Sequence, residues 1–558
     1  MLKRLLFITL TTLLCCNIAW AQYVAPETGK AYRILNAHKN YKGMVANYKE
    51  NIIEVMEKSN NAYEQMWILE KAGTNSVYIK NGLTGKYIQS ANDFSELFKM
   101  GDTPKELFIS KNPTDNKFYN IKCSSNTNRG LHASPYLEVV VWYSPSLNEQ
   151  IEASEWVFED AGVSLDVLAE QQENFRKQQD IINNTDKYNT TLAKIFTDLS
   201  CSELNATYAS MSDSELLEAT KELPEVIQNM ALKIKNNTWG KREKEFRVRE
   251  YKPYADVDEW SKILQANQYS YLSNPTGIYG NAHEQLYIFV DGDIIDGASL
   301  GIEEVLGTNI NGVTDKLKKG LNIIPVSFDL SSIFVRYEVN THNSGKKLAD
   351  YPNLKIHIEN GTVNGFFEKG VHTDEDWVDI TRNLATHPVI QVKGERVLYH
   401  MEKKWITADN CCKNTITDAI GWWDNMLKWD HELLGWDKGI YGEKFNNLHC
   451  AVTRDDDHTY QASTAYHTLY GVRYIYKLLP FKTVQSNHDN VWGPGHELGH
   501  THQKSIQVLG STEFSCNLFA NLTMYKMGIY TSRGDTLGTL VNDFAEQKHG
   551  QACWEKAK

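Results

Sequence analysis

Residues His496-Glu-Leu-Gly-His500 carry the pattern H-E-x-x-H. On a helix, residues four apart share a face, so both imidazoles can present a ring nitrogen to one divalent metal ion. Glu497 then stands beside the metal, placed to take a proton from a water bound there. At the composition of this chain, about 0.03 such matches arise by chance. A surface helix that merely carries two histidines is the competing reading, and the surroundings of the motif weigh against it.

Two imidazoles need a third protein ligand, with a fourth position left for water. The long extension that supplies a third histidine needs Gly and His three and six residues after His500. Gln503 and Ile506 occupy those places, so that class is excluded. His502, two residues beyond His500, points away from the metal on a helix and reads as a supporting or surface residue. A carboxylate on a following helix remains. Gly510-Ser511 provides a break and a cap, and Glu513 opens the apolar run Phe514–Leu522. Glu513 is the sole acidic residue between His500 and Asp535. The helix dipole favours an acid in a first turn in any case. Asn517 lies one turn further on the same face and is placed to orient the Glu513 carboxylate. The expected set is therefore Zn2+ on His496, His500 and Glu513, with Glu497 as general base and no covalent acyl-enzyme. No oxyanion partner is identified; His458, Tyr466 and His467 read as structural.

The elements that must position this site follow from length and pattern. A chain of 558 residues predicts several domains. An apolar content of 41% suffices for packed cores. Residues 1–21 read as a secretory signal: Lys3 and Arg4, the apolar run Leu5–Leu14, then Ala19-Trp-Ala21 before Gln22. That run is too short to span a bilayer, and no later segment reaches 18 apolar residues. Leu14 ahead of Cys15 argues against a lipid-anchored cysteine. Beyond residue 21 there are 56 basic and 70 acidic residues, a net charge of −14. Such a balance disfavours nucleic acid and anionic membranes as partners. Seven cysteines remain, an odd number without a C-x-x-C pair, so neither a disulfide framework nor a cysteine zinc site is expected.

Residues 22–162 repeat. Tyr32-Arg-Ile34-Leu-Asn36 recurs as Val77-Tyr-Ile79-Lys-Asn81 and Tyr119-Asn-Ile121-Lys-Cys123. A glycine follows in each copy, at 43, 85 and 130. Each closes on an aromatic strand, Gln65-Met-Trp67, Glu106-Leu-Phe108 or Ser154-Glu-Trp156. Units of about forty residues are too small to bury their own cores, which predicts a closed threefold β structure. This resembles the ricin-type β-trefoil lectins, whose Q-x-W signature is matched by Gln65-Met66-Trp67. The resemblance implies a glycan-binding module, or a spacer built on the same core.

Residues 163–245 predict a helical connector, with a capping box at Ser212-x-x-Glu215 and a helix divided at Pro224. Residues 246–371 predict a β-sandwich, with strands at Leu286–Val290, Asn322–Val326, Ile333–Val339 and Leu354–Glu359. Residues 372–558 predict a mainly α catalytic region with a long buried helix over Asn414–Trp436. The expected fold class is thus multidomain α+β: β-trefoil, connector, β-sandwich, then a mainly α zincin-like domain.

Gly493-Pro-Gly-His-Glu-Leu-Gly-His500, then Gln503, Thr512-Glu513, Asn517 and Leu518, resembles the enhancin-type zinc peptidases of family M-sixty. Asn274-Pro-Thr-Gly277 and Tyr466-His467-Thr fit the same pattern, over roughly 246–558. The resemblance implies a secreted zinc endopeptidase acting on O-glycosylated, mucin-type proteins, with the trefoil as a carbohydrate-binding module. Family domains continue further than the 45 residues found after Glu513, so a shortened catalytic region is expected. Two other readings stay open: a glycan-binding adhesin with an inactive metallo-domain, and a zinc peptidase of non-glycosylated proteins.

Overall fold

The structure is a computed structural model. It describes residues 23–528 apart from short segments, among them 144–150, 407–414, 455–460, 472–487 and 508–511. The signal segment, His458 and Gly510-Ser511 lie outside the described residues. The chain forms two compact units, one ending at Asn183 and the other beginning at Asn184.

Among the described residues the first unit holds twelve strands, four per repeat. They are β1–β4 (Lys30–Asn36, Gly43–Asn47, Ile52–Met56, Met66–Lys71), β5–β8 (Val77–Asn81, Tyr87–Ile88, Met100–Gly101, Phe108–Lys111) and β9–β12 (Tyr119–Lys122, Gly130–Ala133, Val140–Tyr143, Trp156–Asp160). Last strands pair with the first strands of the next repeat: β4 with β5, β8 with β9, and β12 back with β1. Within repeats β1 pairs β4, β9 pairs β12, and Val77 meets Leu107 just before β8. The ring of six strands therefore closes and leaves no open edge there. The three remaining hairpins touch one another through Ile52–Lys99, Glu54–Val139 and Leu97–Val141.

Ile34, Ile79 and Ile121, the repeating isoleucines, share one core with Trp67 and Trp156. Each indole N–H donates to the residue after the repeat glycine, Trp67 to Met44 O at 2.8 Å and Trp156 to Leu131 O at 3.0 Å. Buried indole donors need such partners. In the second repeat Leu107, not Phe108, enters the core. The aromatic reading there is one residue out, because a strand residue shifted by one faces the opposite side.

The connector does not stand as a unit of its own. Helix Leu165–Asn183 belongs to the first unit, where Leu168 packs with Ala31, Met66 and Ile68. The capping box at Ser212–Glu215 is formed, and Pro224 caps the helix Glu225–Asn236, so the proline divides the helical stretch.

In the second unit two sheets share a core. One has the order 248–251, 354–359, 285–291, 320–325. The other runs 313–316, 298–306, 331–339, 275–280, 362–363, with 254–255 beside 331–339. Alternating Leu286, Ile288 and Val290 face Ile333, Val335 and Tyr337 within one cluster.

Among the described residues from 372 onward helices outnumber strands, but a sheet that the expected mainly α region did not include is present as well. A mixed sheet of six strands runs in the order Phe367–Glu368, Val389–Lys393, Val397–Glu402, His449–Arg454, His467–Gly471, Gln461–Ser463. Its strands are short, and buried Gln391, His400 and Thr453 interrupt the apolar pattern that would have revealed them. The long helix Ile416–Leu434 lies on this sheet: Trp423 meets Tyr399 and Tyr470 edge-on at 5.7 and 5.5 Å. Trp423 is 1% exposed, and emptying that site would cost about 3–5 kcal/mol. Leu498 and Ala520, from the motif helix His488–His502 and the partner helix Thr512–Lys526, join the same core.

Candidate metal centre

The motif does lie on a helix, and its two imidazoles converge with Glu513. His496 Nε2 and His500 Nε2 are 3.1 Å apart, and Glu513 Oε2 lies 3.3 and 3.5 Å from them. Three ligand atoms bound tetrahedrally to one zinc, each at ~2.0–2.1 Å, stand about 3.3–3.4 Å from each other. The donor set and its spacing therefore fit a single Zn2+. Cys516 Sγ is 3.4 Å from His496 Nδ1 and belongs to the same cluster. Burial pushes its thiol up to about 12, which keeps it neutral.

This convergence depends on a close helix crossing. A Cβ added to Gly495 would meet Ala520 Cα at 2.9 Å, and one added to Gly499 would meet Cys516 Cα at 2.8 Å. Glycines at these two positions let the partner helix approach backbone to backbone. That approach sets Glu513 over the histidines.

Asn517 acts on a different group from the expected one. Its Oδ1 accepts from His496 Nδ1–H at 2.6 Å, and its Nδ2 donates to the Glu513 main-chain carbonyl at 3.0 Å. With its proton on Nδ1, His496 turns a bare Nε2 lone pair to the cluster. Burial, with His496 beside it, lowers the pKa of His500 while Glu513 opposes, so its imidazole stays neutral into acid.

Glu497 is 9% exposed and lines a cleft of about 510 Å3 together with Asn267, Ser463, Lys504, Gln507 and Thr512. Burial raises its carboxyl above the ordinary range. Glu513 adds to the rise; His496 and the Ser463 backbone amide oppose it. A raised carboxyl suits a group that must take up a proton and release it again.

Two residues outside the motif hold its helix. Asn267 N–H donates to Thr501 O at 2.7 Å and its Nδ2 to His500 O at 3.2 Å, which satisfies carbonyls at the helix end. Tyr269 Oη lies 2.8 Å from His502 Nε2 and 3.0 Å from His431 Nε2. His502 is no surface residue: it is fully buried. Arg396 can only donate and the Asp430 carboxylate only accept, so the chain has one direction: Arg396 to His431 Nδ1, His431 Nε2–H to Tyr269, Tyr269 O–H to His502, His502 Nδ1–H to Asp430. Neither Asn267 nor Tyr269 carries a motif, and both lie more than two hundred residues before the motif helix they hold. The sequence offers no signal for them.

Tyr466 packs on Tyr271 with ring centroids 6.0 Å apart, and His467 Nδ1 bonds Thr464 Oγ1 at 2.8 Å; neither lines the cleft.

Residues 361–558 match the family model for peptidase M60, enhancin and enhancin-like proteins. No curated protein matches the chain. Among solved structures, a metallopeptidase from Bacteroides thetaiotaomicron is 30% identical with a TM-score of 0.55, over 64% of this chain and 59% of that one. A metallopeptidase in complex with Tn antigen is 32% identical with a TM-score of 0.49, over 56% and 57%. The catalytic module of the metalloprotease ZmpA from Clostridium perfringens is 16% identical with a TM-score of 0.42, over 54% and 61%. The chain spans less than two thirds of the length of each. The His496, His500 and Glu513 cluster falls inside the matched stretch, and residues 361–558 are a peptidase M60 domain.

Proposed function

We propose that the chain is a secreted, zinc-dependent endopeptidase that hydrolyses peptide bonds in O-glycosylated, mucin-type proteins. The meeting of His496, His500 and Glu513 at zinc spacing within an M60 domain carries this reading. Zinc held by these three residues would lower the pKa of a water and polarise the scissile carbonyl. Glu497 takes the water proton and delivers it to the leaving amine. Asn517 keeps the His496 lone pair turned inward, and Asn267 with Tyr269 hold the helix that carries both histidines. Among the described residues, strand Gln461–Ser463 is the edge of its sheet beside the cleft, with the Ser463 amide turned to Glu497.

The closed ring of six strands among β1–β12, with three mutually touching hairpins, supports a β-trefoil at 22–162. That unit would serve as the carbohydrate-binding module. Residues 163–245 would connect it to a β-sandwich at 246–371, followed by the catalytic region. Residues 1–21 would direct export and be removed.

The test is zinc content and mucin cleavage by the secreted chain, beside Glu497→Gln. Zinc at one per chain, cleavage by the wild type and none by the variant are expected; cleavage that persists in Glu497→Gln rejects the mechanism. A wild type without zinc or cleavage favours an adhesin. Equal or faster cutting of an enzymatically deglycosylated mucin removes the glycan from the specificity.

A further inference from the structure

Each imidazole of the cluster has a carboxamide on its far nitrogen. Asn517 serves His496, and Gln503 lies 2.8 Å from His500 Nδ1. Gln503 is 3% exposed, and Ser515 Oγ, itself buried, donates to its Oε1 at 2.6 Å. Gln503 stands three residues after His500, one helical turn on, so the pattern extends to H-E-x-x-H-x-x-Q.

An imidazole that offers Nε2 to a metal carries its proton on Nδ1, and that proton needs an acceptor. At His500 the facing atom is the amide Nε2, which only donates. This leaves the His500 proton on Nε2, directed at His496 Nε2 3.1 Å away. The two histidines then satisfy each other. Half a turn of the Gln503 carboxamide reverses this. Its Oε1 then accepts from Nδ1–H, and its NH2 donates to Ser515. A hydroxyl both donates and accepts, so Ser515 satisfies Gln503 in either orientation.

We propose that Gln503, anchored by Ser515, is a positioning residue that sets the tautomer of His500 and thereby how tightly the cluster holds its metal. The inference rests on the zinc reading of the site. Gln503 is not one of the clustered ligand residues; it acts through His500.

The measurement is zinc affinity of the full chain by competition with a chromogenic chelator, for wild type, Gln503→Leu, Gln503→Glu and Ser515→Ala. Gln503→Leu, which removes the acceptor, should weaken zinc about 10–100-fold. Gln503→Glu accepts from both His500 and Ser515 and should match or exceed wild type. Ser515→Ala should weaken zinc several-fold, and it decides the matter if the near-UV spectrum shows that Gln503→Leu does not fold. Wild-type affinity in Gln503→Leu, or in Ser515→Ala when it must decide, overturns the inference. So does an equal loss in Gln503→Glu, since packing rather than the acceptor would then be responsible. A wild type that takes up no zinc fails the site reading itself, whereas zinc uptake with an unaffected Gln503→Leu fails only this inference.

Discussion

Gly499 faces the Cys516 backbone so closely that a Cβ on the glycine would stand 2.8 Å from Cys516 Cα. The obstacle is main chain, which cannot rotate away as a side-chain tip can. Gly499→Ala should therefore push the partner helix outward, at a cost of about 1–3 kcal/mol. Glu513 moves with that helix, so zinc should be lost before the fold is. Zinc content and the melting temperature of the same sample test this. A variant with full zinc content would show that the crossing has slack the structure does not indicate.

Tyr269 connects the long helix to the motif helix through a single hydroxyl. Tyr269→Phe keeps the ring and strands His431 Nε2–H and His502 Nε2, both fully buried. Leaving a buried polar group without a partner costs roughly 1–3 kcal/mol. Urea unfolding of the metal-free chain should show a loss in that range with an unchanged denaturant slope. An unchanged midpoint would mean that the two imidazoles find other partners.

The residues of the site were legible where chemistry and spacing coincide in one stretch. His496 and His500 are four apart, and Glu513 is the sole acid between His500 and Asp535, so spacing and chain order point to the three that meet. The supports were legible only in part. Asn517 was found by helical spacing, but spacing does not say that its amide would reach His496 rather than the Glu513 carboxylate. Asn267 and Tyr269 arrive from a distant segment, which no local pattern encodes. The repeating isoleucines disclosed the threefold core because each must face inward at the same register. The six-stranded sheet escaped because partnered polar residues such as His400, bonded to Gln391 and to Gly307 O, occupy its buried faces.

Glu359 predicts how the second unit responds to acid. Burial alone would raise its carboxyl; the hydrogen bond and charge of His357, with Arg247 and Lys233, outweigh that and hold it at about 2. Lys233 Nζ is 2.5 Å away and His357 Nε2 3.3 Å. A carboxyl lowered by folding stabilises the native state above its unfolded value, and that contribution disappears as pH falls through the folded one. Its size is at most about 3 kcal/mol, lost between roughly pH 4.5 and 2. Urea midpoints should fall across this window in the wild type and more shallowly in Glu359→Gln. Equal slopes would remove Glu359 from the acid response.

Glu497 sets the other pH dependence, that of turnover. It accepts a proton only when ionised, so activity must decline as pH falls through its pKa. Burial moves that pKa upward, Glu513 adds to the shift, and His496 and the Ser463 amide reduce it without cancelling it. The acid limb of kcat/KM should therefore lie above the ordinary glutamate value of about 4.3. His500, whose imidazole pKa is lowered, should still be neutral there, so zinc content should stay constant across the upper part of the limb. Recording zinc content beside each rate separates the two events. A limb that follows zinc loss point for point would assign the decline to the ligands. A limb that precedes zinc loss, together with a fall of about 10²–10⁴-fold in Glu497→Gln, would assign it to the base.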